Sequence, residues 1–199
     1  MKRILILCAK EWTVGEKNIA ARYAHEVFSR IALQKHTVAW FAHRPLPLFA
    51  RGARRAPMET RDNIQFARLG PMFGYRFSVA MVLKRLEKLD IRNPFDIMVE
   101  CVERSPLPLE ESNRPRLLSI VFRPLRASYV QCLSRPLITA TEEATASLQK
   151  AGIPSGHIIR AYAGADASDW NRTAGLVLAA IENLEHEIAL RASVPAKPI

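Results

Sequence analysis

The chain has few cysteines and lacks a long apolar run. Its three cysteines, Cys8, Cys101 and Cys132, are odd in number and widely spaced, which argues against both a disulfide framework and a zinc cluster. No run approaches the roughly 18 apolar residues that cross a bilayer. The apolar segment near the N-terminus ends at Lys10 and Glu11 without a small-residue cleavage site. These absences predict a soluble, cytoplasmic protein.

The familiar catalytic and cofactor motifs are also missing. The sequence contains no Walker loop, no dinucleotide-binding fingerprint and no Gly-x-Ser-x-Gly elbow. The histidines show no close metal spacing with cysteines or acidic residues. The sequence therefore names no catalytic residue, no metal ligand and no cofactor.

Basic residues are present in marked excess. The formal net charge is +10 at pH 7, which favours anionic lipid, nucleic acid or a phosphorylated substrate as partner. The densest basic stretch, 44–55, places Leu46, Leu48 and Phe49 among arginines. That mixture suits a membrane interface, and equally a solvated loop packed on its own domain. The basic residues show no recognised motif for nucleic acid, which disfavours that partner.

Strand-like and helix-like segments alternate along the chain. The predicted strands are Arg3 to Cys8, Thr37 to Ala42, Asn63 to Leu69, Phe95 to Val102, Arg116 to Phe122, Ile138 to Thr139 and His157 to Tyr162. The predicted helices are Ile19 to Ile31, Tyr75 to Leu89, Arg126 to Leu133, Glu142 to Ala151 and a last helix around Trp170 to Ile188. This alternation predicts an α/β fold with a doubly wound, mostly parallel, Rossmann-like sheet and helices on both faces.

The segment 137–166 has the most distinctive punctuation. Thr141 is placed to cap the helix that follows, Gly152 supplies a left-handed stop and Pro154 prevents continuation. The last helix follows closely, with Ser168 or Asp169 expected as its N-cap. Segment 137–166 is thus a strand, a capped helix and a second strand leading into a long helix.

This segment resembles the end of the first domain of GT-B glycosyltransferases of the large retaining family four, where the chain enters an interdomain hinge. The resemblance implies an N-terminal, acceptor-side Rossmann-like domain over 1–166, a single GT-B half. It implies that 167–191 is the returning C-terminal helix packed on the same domain. The proline-containing tail over 192–199 is expected to be disordered. The resemblance further implies that the donor-binding domain of such an enzyme is missing from this chain.

The same resemblance indicates substrate-binding residues. Gly15 and Glu16 match part of the family's glycine-rich loop before the first helix, and Lys17 adds a charge suited to phosphate. Glu103 resembles an acidic strand end on the acceptor side. Arg123 stands where many relatives carry histidine; it suits an anionic acceptor or a diphosphate but does not act as a general base.

Two functions follow as hypotheses. The first is the acceptor-binding domain of an enzyme that moves a sugar from a nucleotide-sugar donor to a glycan or lipid-linked acceptor. On this hypothesis the chain alone is inactive, because most donor contacts belong to the missing domain. The alternative is a non-catalytic, single-domain relative that binds anionic membrane, peripheral to its inner face, or a partner subunit.

Overall fold

The computed structural model describes residues 1–12, 17–43, 56–69, 74–88, 95–109, 114, 116–134 and 136–193. Its strands are β1 Arg3–Leu7, β2 Thr37–His43, β3 Met58–Arg61, β4 Ile64–Leu69, β5 Ile97–Val102, β6 Leu117–Val121, β7 Leu137–Thr139 and β8 Ile158–Arg160. Its α-helices are α1 Ile19–Leu33, α2 Tyr75–Lys88, α3 Ala127–Val130, α4 Glu142–Lys150 and α5 Ala167–Ser193.

The strands form one sheet in the order β3-β4-β2-β1-β5-β6-β7-β8. All neighbouring pairs are parallel except β3 with β4, and the register sets Leu5 opposite both Ala39 of β2 and Met98 of β5. The predicted α/β fold with a doubly wound, mostly parallel sheet is therefore confirmed.

The central strands are buried on both faces. In β1, Ile4 and Ile6 pack with apolar residues of α1 and α5, whereas Leu5 and Leu7 pack with residues of α2 on the other face. Side chains alternate between the faces of a strand, so a continuous apolar run such as β1 serves both layers. A third cluster joins β6 and β7 to α3 and α4. The sheet therefore lies between two helical layers, with an apolar core on each of its faces.

The edge strand β3 was not predicted from the sequence. It pairs antiparallel with β4 through a two-residue turn at Asp62 and Asn63, both of which have positive φ. Aspartate and asparagine tolerate this left-handed conformation, which two-residue hairpins of type I′ require at both positions. The strand itself, Met-Glu-Thr-Arg, is mostly polar and half-exposed. In the sequence, the Asp-Asn turn is therefore a clearer indication of the hairpin than the strand is.

Helix boundaries follow local capping chemistry. Thr141 caps α4 by accepting a hydrogen bond from Ala144 N, and Gly152 has φ +86°, so both predictions are confirmed. The predicted cap of α5 is wrong. Asp166, rather than Ser168 or Asp169, accepts hydrogen bonds from the first backbone N–H groups of that helix. These bonds to the carboxylate hold the pKa of Asp166 below its ordinary value.

Helix α5 packs along the face that carries α1. Trp170, Val177 and Ile181 are buried in the cluster that α1 and β1 share. In the C-terminal half of the helix, Glu185 pairs with Lys2, which directly precedes β1. The N-terminus of α5 therefore lies at the carboxyl edge of the sheet and its C-terminal half lies toward the amino edge.

Gly164 permits a close approach between the chain after β8 and the start of α5. A Cβ at this position would lie 2.7 Å from the Cβ of Asp169 and 2.8 Å from the backbone N of Trp170. Because backbone atoms must move to relieve this overlap, Gly164→Ala is expected to lower the free energy of unfolding by about 1–3 kcal/mol. Urea-induced unfolding measures the effect.

Gly175 provides a matched control of opposite sign. It is exposed within α5, and a Cβ there would meet no atom within 4 Å. Gly175→Ala is expected to stabilise the protein by about 0.5–1 kcal/mol, because alanine loses less backbone freedom in a helix. An unchanged midpoint for Gly164→Ala would show that the turn relaxes without cost.

Within the described residues no helix is both long enough and apolar enough to span a membrane. The basic stretch 44–55, on which the membrane hypothesis depends, lies outside the described residues. The predicted tail lies outside them from residue 194 onward, while 192 and 193 continue α5.

Candidate functional site

The sheet order creates a crevice at the carboxyl ends of β1 and β5. From β1 the chain crosses first to β2 on one side, whereas β5 pairs with β1 on the other side. The loops that follow β1 and β5 therefore leave the sheet in opposite directions. In open α/β sheets ligands bind at such a topological switch point.

A cleft of about 370 Å³ occupies this position. Five of the described residues, from four different segments, line it: Lys10, Asn18, Glu103, Arg104 and Arg123. Lys10 follows β1 and Asn18 precedes α1, while Glu103 and Arg104 follow β5 and Arg123 follows β6. Parallel strands bring these positions together because all of their carboxyl ends meet at one edge of the sheet.

Asn18 and Glu103 join the two sides of the cleft. The Oδ1 atom of Asn18 accepts a hydrogen bond from Ala21 N at 2.7 Å and so caps α1. Its Nδ2 atom donates to Oε1 of Glu103 at 2.9 Å. One amide side chain thus orients both the N-terminus of α1 and the carboxylate that follows β5.

The segment 8–12, which carries Lys10, is held from several directions. Trp40 donates its ring N–H to the carbonyl of Cys8 at 3.0 Å, and Arg61 donates to the carbonyl of Trp12 at 3.1 Å. The Glu11 carboxylate is paired with the buried guanidinium of Arg68. Lys10 therefore projects from a backbone whose position is fixed by β2, β3 and β4.

The segment 103–109 on the opposite side is also anchored. Arg76 of α2 donates to Ser105 Oγ at 2.9 Å and to the carbonyl of Pro106 at 2.5 Å. Glu100, buried in β5, accepts a hydrogen bond from Leu107 N. Burial raises the pKa of this carboxyl group, although the bonds from Leu107 and Ser119 partly offset the effect.

The cleft is cationic. Among its described lining residues, Lys10, Arg104 and Arg123 each carry a positive charge and Glu103 carries the one negative charge. The N-terminus of α1, a helix of 15 residues, adds partial positive charge to the same region. This arrangement suits a polar ligand that bears phosphate or another anionic group.

The structure brings together part of the site that the sequence predicts. Glu103 and Arg123 both line the cleft. Lys17 lies next to Asn18 but is exposed and is not among the described lining residues. Gly15 and Glu16 lie outside the described residues. The binding roles of all five residues stay predictions.

Sequence reasoning missed Lys10, Asn18 and Arg104. Their common signal is position, since each lies between the end of a buried strand and the next element of the fold. Asn18 also directly precedes the apolar stripe of α1, where asparagine is a preferred N-cap. The switch-point rule would single out Lys10 and Arg104 only once the order of the strands in the sheet is known.

A second cavity, of about 220 Å³, lies between the chain after β8 and the first turns of α5. Among the described residues that line it, Arg160, Asp169 and Arg172 are charged. The Asp169 carboxylate accepts a hydrogen bond from Ala165 N at 3.1 Å and so belongs to the local turn. The central cleft is larger and draws on more strand ends, which makes it the candidate site.

Comparisons with known proteins add little to this geometry. No protein-family model matches the chain, and no curated protein matches it in sequence. A solved E. coli structure, described as trehalose-6-phosphate bound with UDP-2-fluoro glucose, is similar with a TM-score of 0.38 and 12% identity. The similarity covers 75% of this chain and 42% of that one, so the chain spans less than half of that protein's length.

The class of protein therefore rests on the fold itself. It is an α/β domain with a doubly wound sheet and a cationic cleft at its topological switch point.

Proposed function

We propose that the chain is the acceptor-binding domain of a glycosyltransferase that moves a sugar from a nucleotide-sugar donor to a glycan or lipid-linked acceptor. We further propose that the cleft at the ends of β1, β5 and β6 binds an anionic group of that acceptor. The observation that carries the proposal is the convergence of Lys10, Arg104 and Arg123 on one cleft at the switch point.

Two features support the reaction class. Segment 137–166 resembles the approach to the interdomain hinge of GT-B enzymes, and the doubly wound sheet is the fold that this resemblance implies. In such an enzyme a second domain supplies most contacts to the donor, and closure of the domains excludes water. On this proposal the chain binds and positions the acceptor. Alone, it binds the acceptor but does not transfer sugar.

The proposed roles follow from side-chain chemistry. Arg104 and Arg123 present planar guanidinium groups that match two oxygens of a phosphate or carboxylate, and Lys10 adds a mobile point charge. The Glu103 carboxylate, oriented by Asn18, accepts a hydrogen bond from a sugar hydroxyl. The cleft thereby combines charge recognition with hydroxyl recognition.

Isothermal titration of the purified chain with a hexose monophosphate and with the parent hexose tests this proposal. The phosphorylated sugar is expected to bind more tightly, with an affinity that falls as salt is raised. Arg123→Ala is expected to weaken its binding about tenfold or more, because hydrogen bonds to charged groups contribute about 1.5–3 kcal/mol.

Arg191→Ala serves as the matched control. Arg191 lies near the C-terminal end of α5, in an exposed pair with Glu187, and is not among the described residues that line the cleft. Its replacement by alanine removes the same charge from the protein as Arg123→Ala does. Equal weakening by both variants would show that only overall charge matters. Equal affinity for the two sugars, or binding of neither, would overturn the proposal.

A further inference from the structure

Glu100 is a buried carboxylate that is hydrogen-bonded to the segment whose first residues line the cleft. It lies in β5 and is 1% exposed. Its Oε1 atom accepts a hydrogen bond from Ser119 Oγ of β6 at 2.7 Å, and its Oε2 atom accepts one from Leu107 N at 3.0 Å. The carboxylate therefore connects two strands of the sheet to the segment that follows β5.

That segment, 103–109, begins at the cleft and returns to the buried carboxylate. Glu103 and Arg104 line the cleft at its start, and Leu107 binds Glu100 near its end. Between them, Arg76 holds Ser105 and Pro106 from α2. With the carboxylate and α2 both attached, the wall of the cleft has little freedom to move away from Asn18.

Packing alone does not explain a carboxylate at this position. A buried, ionised carboxylate is costly unless its oxygens are hydrogen-bonded, and an apolar side chain would fill the same space without that cost. The neighbouring charges that favour its ionised form are Arg76 and Arg114. What the carboxylate adds is two acceptors, one directed at the sheet and one at the segment 103–109.

We infer that Glu100 is a positioning residue of the cleft: it fixes segment 103–109 so that Glu103 stays bonded to Asn18 and Arg104 stays at the wall. Its effect on affinity rests on the proposed function, whereas its effect on the segment does not. The side chain acts through Leu107 and touches no ligand itself.

Three variants separate this role from a general loss of stability. Glu100→Gln keeps an oxygen for Leu107 N and an amide for Ser119, so it is expected to bind the hexose monophosphate within about twofold of the parent chain. Glu100→Ala removes both contacts and is expected to weaken binding about three- to thirtyfold. Asp96→Ala is the matched control, because Asp96 accepts a hydrogen bond from Arg3 N at 2.7 Å at the opposite edge of the sheet.

Amide hydrogen exchange at Leu107 gives a readout that needs no ligand. Faster exchange is expected in Glu100→Ala and not in Glu100→Gln or Asp96→Ala, at denaturant concentrations where all four proteins remain folded. If the parent chain binds no sugar phosphate but exchange at Leu107 responds as expected, the proposed function fails and the positioning role stands. Unchanged exchange in Glu100→Ala, or equal loss of affinity in Asp96→Ala, would overturn the positioning role.

Discussion

Replacing Arg68 with methionine is expected to lower the free energy of unfolding by about 3–5 kcal/mol, because it removes the buried guanidinium that pairs with the carboxylates of Glu11 and Glu59. The Arg68 side chain is fully buried, and the side chain of Glu11 is 4% exposed. The guanidinium Nη2 of Arg68 donates to Glu11 at 2.9 Å and to Glu59 at 2.6 Å. The hydrogen bonds to Glu11 and Glu59 raise the pKa of Arg68 above its ordinary value.

The reason for the large effect is the desolvated charge that remains. Methionine fills much of the volume of arginine but replaces neither of the two hydrogen bonds that Arg68 donates to Glu11, and losing such bonds in a buried site costs more than losing a surface pair. The double variant Arg68→Met/Glu11→Gln is expected to regain part of the loss, since glutamine carries no charge that needs the guanidinium. Urea unfolding of the parent, both single variants and the double variant completes the cycle.

Arg191→Met is the matched control for this experiment. The Arg191 side chain is 75% exposed and pairs with Glu187 one turn earlier in α5. Exposed pairs of this kind contribute little, so its expected effect lies within about 0.5 kcal/mol. A loss as small for Arg68→Met would mean that water reaches Glu11 once the arginine is removed.

The sheet was predictable because its strands are buried on both faces. In a chain of alternating helices and strands, a short, continuous apolar run such as β1 is typical of a strand in a parallel sheet that is covered on both faces. The edge strand β3 was not predicted, because only the turn at Asp62 and Asn63 indicates a hairpin in the sequence. The capping residues of the helices were predictable only in part. Thr141 caps α4 as expected, whereas α5 is capped by Asp166 and not by Ser168 or Asp169.

The cleft was harder to predict than the sheet because it is assembled from distant segments. Arg123 was singled out as a strand-end cation and does line the cleft, but Lys10 and Arg104 gain meaning only from the strand order. Strand order is not encoded in the pattern of any one segment; it follows from which strands pair across the whole chain. Glu100 was missed for a related reason, since its partners Leu107 and Ser119 come from the loop after β5 and from β6.

Trp170→Ala is expected to lower the free energy of unfolding by about 3–5 kcal/mol, the usual cost of truncating a buried aromatic residue to alanine. Trp170 is 4% exposed, and its ring meets that of Tyr23 edge-on with 5.8 Å between centroids. Tyr23 in turn donates its hydroxyl to the carbonyl of Ala161 at 2.7 Å, after β8. The tryptophan therefore joins α5, α1 and the last strand at a single point.

This prediction also tests whether α5 is an integral part of the fold. Leu190 on the same helix is 53% exposed, so Leu190→Ala is expected to change stability by no more than about 0.5 kcal/mol. If α5 merely rested on the surface, Trp170→Ala would release the helix, with a loss of helical circular dichroism before the main unfolding transition. Because Trp170 and Tyr23 belong to the same buried cluster as β1, one cooperative transition at lower urea concentration is expected instead.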